Sequence, residues 1–119
     1  MDDELYRVRD EEHSFEFRGR CLAKTSSASE GKLRWTEVEL YRTSSGRYVV
    51  ATLGRSADPT DATFWRATVS ETARGAVELL YQQDRDGVRY LTWTARQALE
   101  EASALDEELR EAYQVQVID

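Results

Sequence analysis

This chain is poor in the residues that staple, kink or ligate. Its 119 residues include one cysteine (Cys21), one proline (Pro59), one histidine (His13) and one methionine. A single cysteine rules out an intramolecular disulfide, and one Cys with one His cannot build a structural zinc site. That thiol content fits a reducing compartment. The near-absence of proline favours regular elements over loops. No apolar run approaches the roughly 20 residues that cross a bilayer. The acidic opening Met1-Asp2-Asp3-Glu4 has no apolar stretch behind it, unlike a secretion signal. The expectation is a cytoplasmic protein with no membrane contact.

What is present is charge, unevenly placed. Charged residues make up 33% of the chain and apolar ones 40%, too apolar for general disorder. The length sets an expectation of one domain. The net charge is −7, but residues 1–12 carry −4, residues 98–119 carry −6 and the stretch between carries +3. A mildly basic body with two acidic ends follows. Residues 1–12 read as an acidic tail and 13–119 as a single α+β domain, sheet-rich over 13–69 and helix-rich over 70–112, with a final strand over 113–118.

The clearest local signal runs from Leu33 to Gly54. Thr36, Val38 and Leu40 share one strand face and Trp35, Glu37, Glu39 and Tyr41 the other. Ser44-Ser45-Gly46 breaks the pattern, and Tyr48 to Leu53 resumes it as a nearly continuous apolar run. Period-two alternation on both sides of a glycine-containing turn predicts a β-hairpin. Upstream, Phe15, Phe17, Gly19, Cys21 and Ala23 share one parity and predict a strand with one buried face. Thr25 to Lys32 is a Ser/Gly-rich loop. Arg55 to Ala62, with Asp58-Pro59, reads as a connection. Phe64 to Val69 predicts another strand, Phe64, Arg66 and Thr68 alternating against Trp65, Ala67 and Val69.

Helical periodicity takes over from there. Ala73, Ala76, Val77, Leu80 and Tyr81 line one face, with Ser70 as the expected N-cap and Asp84 to Gly87 as the terminating turn. Gly75 inside that helix costs about 1 kcal/mol relative to alanine, which suggests a close approach to the sheet. Leu91, Ala95, Ala98, Leu99 and Ala102 form a second stripe beginning at Leu91 or Thr92. Asp106 caps a short helix reaching Ala112, with Leu109 and Tyr113 inward. Tyr113 to Val117 then alternates like a strand, with Val115 and Val117 on one side. The fold class is α+β: an antiparallel sheet of four to five strands with two main helices on one face.

Candidate chemistry is sparse. His13 sits beside Glu11 and Glu12 without the orienting carboxylate and nucleophile that a catalytic histidine needs. Cys21 shares a parity with Phe15 and Phe17 and reads as a small buried hydrophobe. Asp84-Arg85-Asp86-Gly87 begins like a calcium loop, but Ala95 stands where the closing glutamate belongs. Glu30-Gly31-Lys32 matches a nuclease triplet but falls in a loop rather than on a core strand. Glu37 and Glu39 project from one strand face roughly 7 Å apart, as suits either acid–base work or pairing with arginines such as Arg18 or Arg47. There is no phosphate-binding glycine loop and no nucleophile elbow. No catalytic residue, metal ligand or cofactor site is assigned.

Two charged faces are candidates for contact. Glu100, Glu101, Glu107, Glu108 and Glu111, with Asp106 among them, form an acidic helical face suited to a basic partner. Arg18, Arg20, Lys24, Lys32, Arg34, Arg42 and Arg47, interleaved with Trp35, Tyr41 and Tyr48, form a candidate nucleic-acid face of the kind that single-strand binders place on a sheet.

Phe17-Arg18-Gly19-Arg20-Cys21-Leu22-Ala23 and the hairpin Trp35-Thr36-Glu37-Val38-Glu39-Leu40-Tyr41-Arg42-Thr43-Ser44-Ser45-Gly46-Arg47-Tyr48-Val49-Val50 resemble a pattern in small uncharacterised proteins of actinobacteria and their phages. Fourteen arginines against Lys24 and Lys32 agree with a high-GC source. The resemblance covers about a third of the chain and implies no catalytic residues. The expectation is a non-enzymatic protein-binding or accessory module, carried by a phage or mobile element and acting on a host complex. The alternatives are a nucleic-acid binder using the arginine-rich sheet, an acidic nucleic-acid mimic or inhibitor, and an enzyme with an unrecognised carboxylate site.

Overall fold

Five strands follow one another as an antiparallel meander, each paired with the next: β1 (Glu4–Asp10), β2 (His13–Ser26), β3 (Arg34–Thr43), β4 (Tyr48–Ser56) and β5 (Phe64–Ser70). Helices α1 (Ala73–Leu80), α2 (Trp93–Leu105) and α3 (Glu107–Ile118) come after, with a two-stranded ribbon, β6 (Gln82–Gln83) and β7 (Arg89–Tyr90), between α1 and α2. This is a computed structural model, and it describes residues 3–58, 60 and 63–118. The α+β expectation holds, with five strands and a third helix beyond the two main ones. Among the described residues no helix is long and apolar enough to cross a membrane.

The sheet is curled, and both of its faces are buried. Outside the curl, α1 packs on β4 and β5, α2 packs on β2 and β3, and α3 lies against α1 and α2. Here Leu22, Ala23, Val38, Leu40, Tyr48 and Val50 meet Ala76, Val77, Leu99 and Leu109 of the helices. Inside the curl, Val8, Tyr41, Val49, Ala51, Leu53 and Ala67 form a second core with Tyr6, Phe15, Phe17 and Trp65. This explains the continuous apolar run in β4. Tyr48 and Val50 face the helices while Val49, Ala51 and Leu53 face inward, so no position along it meets water freely. The alternation expected for β3 is as observed.

The curl closes at one end. The Glu11 backbone N–H donates to the Trp65 carbonyl at 2.7 Å, and the Asp10 carboxylate accepts from the Ala67 N–H at 3.2 Å. Trp65 lies there between the guanidinium groups of Arg9 (5.1 Å) and Arg55 (5.0 Å).

Several expectations are corrected. Residues 4–10 are not a tail but the first strand, paired along its whole length with β2. Arg7 sits on the outer side, where it pairs with Glu16, while Tyr6 and Val8 turn into the inner core. The parity assigned to β2 fails past Cys21, because the register shifts between Cys21 and Ala23. A bulge adds one residue and turns the alternation over, so Phe15, Phe17 and Cys21 face the inner core while Leu22 and Ala23 face the helices. Residues 113–118 are not a returning strand; they continue α3. The side chains of Val115 and Val117 lie outside the described residues, as do Pro59, Asp61 and Ala62 of the connection before β5.

The helix ends follow side-chain capping. Thr72, not Ser70, caps α1 by accepting from the Gly75 N–H at 3.0 Å, and α1 stops at Leu80 with Tyr81 as its C-cap. A Cβ on Gly75 would meet the Ser70 hydroxyl at 2.3 Å, so the close approach there is to the last residue of β5. Thr92 caps α2. Asp84 to Gly87 forms the tip of the β6–β7 ribbon, with Asp84 Oδ1 accepting from the Asp86 and Val88 N–H groups.

Candidate functional site

The register across β3, β4 and β5 sets out the helix-facing surface as rows of side chains. From one end these are Thr36, Gly54 and Phe64; Val38, Thr52 and Arg66; Leu40, Val50 and Thr68; and Arg42, Tyr48 and Ser70. The helices cover the last two rows better than the first two. What they leave is an open cleft of about 720 Å³ between this part of the sheet and the segment where α1 ends, β6 begins and α2 starts.

The sheet side of the cleft carries Thr36, Val38, Val50, Thr52, Phe64, Arg66 and Thr68. Leu79, Leu80, Tyr81 and Gln82 come from the end of α1 and its continuation, and Thr92, Thr94 and Ala95 from the start of α2. Phe64 and Leu79 are each 44% exposed. Gly54 lets Phe64 lie on the sheet, since a Cβ at that position would stand 2.2 Å from the ring. The Arg66 guanidinium lies 5.8 Å from the centre of the same ring. Beyond the first row the surface runs over the end of the sheet into a hollow of about 390 Å³ lined by Lys32, Arg34, Trp35 and Arg55, sharing Ser27, Thr36 and Phe64 with the cleft. Among the described residues, cleft and hollow together present four basic side chains and no carboxylate.

The sequence-derived faces are distributed differently from expectation. Arg20, Arg34 and Arg42 lie on the helix-facing side of the sheet, whereas Lys24, opposite Glu39, and Trp35, opposite Arg55, lie on the inner side. Arg18 pairs in register with Leu5 of β1. Arg47, after the hairpin turn, is bound to Glu71 at 3.0 Å. The proposed nucleic-acid face is therefore not one surface. Of that set Lys32, Arg34 and Trp35 come together at the hollow.

The acidic set is also divided. Glu100 and Glu101 are exposed on α2, and Glu107, Glu108 and Glu111 are exposed on α3. Glu108 accepts from Arg42 Nη2 at 2.8 Å, so part of the acidic face neutralises part of the basic one.

Beside that pair Asp106 is buried. It accepts from Arg42 Nη1, the Tyr48 hydroxyl and the Leu109 N–H, each at 2.9 Å. Burial alone would push its carboxyl up. The Leu109, Tyr48 and Arg42 bonds outweigh that and hold it below the ordinary carboxylate range. With its acceptors engaged, Asp106 docks α3 on the sheet and has no capacity left for a substrate.

Glu37 and Glu39 are similarly committed. Glu37 accepts from Arg55 Nε at 2.8 Å and from Trp35 Nε1 at 3.0 Å, and Glu39 accepts from the Tyr41 hydroxyl at 2.7 Å. Burial pushes the Tyr41 phenol far above its ordinary value, and the bond to Glu39 adds to it. Burial also raises the Cys21 thiol, which opposes thiolate chemistry. His13 is exposed at the start of β2. Among the described residues no group of three His, Cys, Asp or Glu converges as a metal site would require.

The residues of the cleft were visible only as an alternation, Phe64, Arg66 and Thr68 on one parity of β5. A strand face that mixes an aromatic, an arginine and a threonine where the helices ought to pack is the signal that this face stays partly uncovered. No family profile, curated protein or solved structure matches this chain.

Proposed function

We propose that this protein is a non-enzymatic binding module that receives a segment of a partner protein in the cleft between β3–β5 and the α1–α2 layer. The observation that carries this reading is the pairing of Phe64 and Leu79, two large apolar side chains left substantially exposed on opposite walls of the same cleft. Exposed aromatic and aliphatic groups with polar residues around them are the composition of protein contact sites. The polar residues around them are Thr36, Thr52, Thr68 and Gln82. The hydroxyls of these three threonines make no hydrogen bond among the described residues and remain available to a partner's backbone.

A random peptide-display selection on the protein tests this, with Leu79→Glu and Thr68→Trp as counter-selectors. Both positions are exposed, so both variants keep the fold. The expected result is a set of peptides that bind the parent and lose affinity for both variants. Enrichment of nothing, or only of peptides that hold all three forms equally, would remove the cleft as the contact surface.

A further inference from the structure

We infer that the partner segment is acidic: a short extended stretch with one apolar side chain for the Leu79–Leu80 end of the cleft and a carboxylate a few residues away for Arg66 and the basic hollow. This rests on the reading of the cleft as a docking site and adds the chemistry of its occupant.

The argument is one of charge placement. The protein has 23 acidic residues against 16 basic ones, yet among the described residues no acid lines the cleft or the hollow. Lys32, Arg34, Arg55 and Arg66 all do. Arg55 is held by Glu37, and Lys32 donates to the Ser27 carbonyl at 2.8 Å. Arg66 differs from them. It is exposed, and among the described residues it has no carboxylate or carbonyl partner, only the Phe64 ring. A guanidinium laid along an aromatic ring is positioned with its N–H edge outward and binds carboxylate through two parallel bonds.

The two ends of the site differ in kind. Val38, Val50, Leu79, Leu80 and Ala95 make the apolar end, and the cations make the other. Successive rows on the sheet face are two residues apart along each strand, roughly 7 Å. The Val50–Thr68 row and the Phe64 row are thus about 13 Å apart, a span that an extended peptide covers in about four residues. The remaining negative charge of the protein opposes such a ligand only weakly, because charges beyond about 10 Å are screened at ordinary salt.

The peptides recovered from the display selection supply the test. They are resynthesised and titrated by fluorescence anisotropy against the parent, Arg66→Glu and Leu79→Glu, with single-stranded oligo(dT) as a second probe. The inference expects Asp or Glu two to four residues from Leu, Ile, Val or Phe in the recovered sequences. It expects roughly tenfold weaker binding to Arg66→Glu, where an attractive pair becomes a repulsive one. It also expects recovery when the peptide's acid is replaced by lysine.

Neutral or basic peptides that are lost on Leu79→Glu but indifferent to Arg66→Glu would overturn the acidic assignment and leave the docking cleft standing. Failure to recover any peptide sensitive to Leu79→Glu would bring down both. Oligo(dT) that binds more tightly than every peptide and is lost on Arg66→Glu would overturn the inference as well, by assigning the basic end to a phosphate backbone.

Discussion

Arg42 on β3 donates from Nη1 to Asp106 Oδ2 across 2.9 Å, joining the hairpin to the junction between α2 and α3. The same carboxylate accepts from Tyr48 on β4 and caps α3 through the Leu109 N–H, while Arg42 lies 4.9 Å from the Tyr48 ring. One buried residue thus ends one helix, starts the next and fixes both to the sheet. Replacing Asp106 by alanine removes a helix cap, leaves the Tyr48 hydroxyl without its acceptor and leaves Arg42 with Glu108 alone. The expected cost is about 3 kcal/mol in urea unfolding. A loss below about 1 kcal/mol would mean that the contact is incidental.

The same carboxylate sets a pH dependence. Its folded pKa lies below the ordinary value of 3.8, so its contribution is present above the unfolded pKa and is lost as pH falls through the folded one. The parent should therefore lose its stability advantage over Asp106→Asn as pH is lowered from 7 to below the ordinary carboxylate value of 3.8. Urea midpoints of the two forms at neutral and acid pH give the measurement. A gap that stays constant would contradict the assignment.

Tyr41 and Tyr48 are both raised well above 10.0, chiefly by burial and then by their bonds to Glu39 and Asp106. Raised phenols contribute stability below about pH 10 and lose it as pH rises. In an alkaline titration followed at the tyrosinate absorbance, Tyr41→Phe should leave the amplitude near pH 11 unchanged from the parent. An amplitude smaller by one of the six tyrosines would show that Tyr41 ionises in the folded protein.

Two glycines separate backbone from side-chain crowding. A Cβ on Gly19 would stand 2.1 Å from the Arg42 carbonyl oxygen, in the β2–β3 ladder, where nothing can turn aside. A Cβ on Gly54 would meet only the half-exposed Phe64 ring, which can swing out. Gly19→Ala should cost about 3 kcal/mol and Gly54→Ala about 1 kcal/mol. Gly54→Ala should also weaken peptide binding, because it moves a wall of the cleft. Equal thermal shifts for the two would refute this distinction.

β1 carries a further expectation. Val8 is 5% exposed in the inner core, so Val8→Ala should cost about 2 kcal/mol and removal of residues 1–10 should abolish cooperative thermal unfolding. A truncated protein that melts as sharply as the parent would return this segment to the status of a tail.

The hairpin and the helix stripes were legible because burial there follows a fixed period: Val38 and Leu40 against Tyr41 on the strand, Ala98 and Leu99 on α2. The first strand was masked by its charge. Arg7 and Glu16 cancel each other across the ladder, which composition cannot show. The bulge after Cys21 could not be read because one inserted residue inverts parity without leaving a glycine or proline to mark it. Tyr113 to Val117 alternated like a strand, yet the turns of α3 before it carry the helix through. The candidate charged faces were misdrawn for a related reason. Sequence places Arg42 and Glu108 on separate surfaces, and the fold makes them partners.

The floor of the cleft also has an underside. Between Phe64 and Arg66 on β5 stands Trp65, turned the other way into the curl and flanked by two guanidinium groups. Any load on Thr52 or Arg66 therefore bears on a wall one peptide thick with an indole behind it, and the emission of that indole is a natural gauge of what rests on the other side.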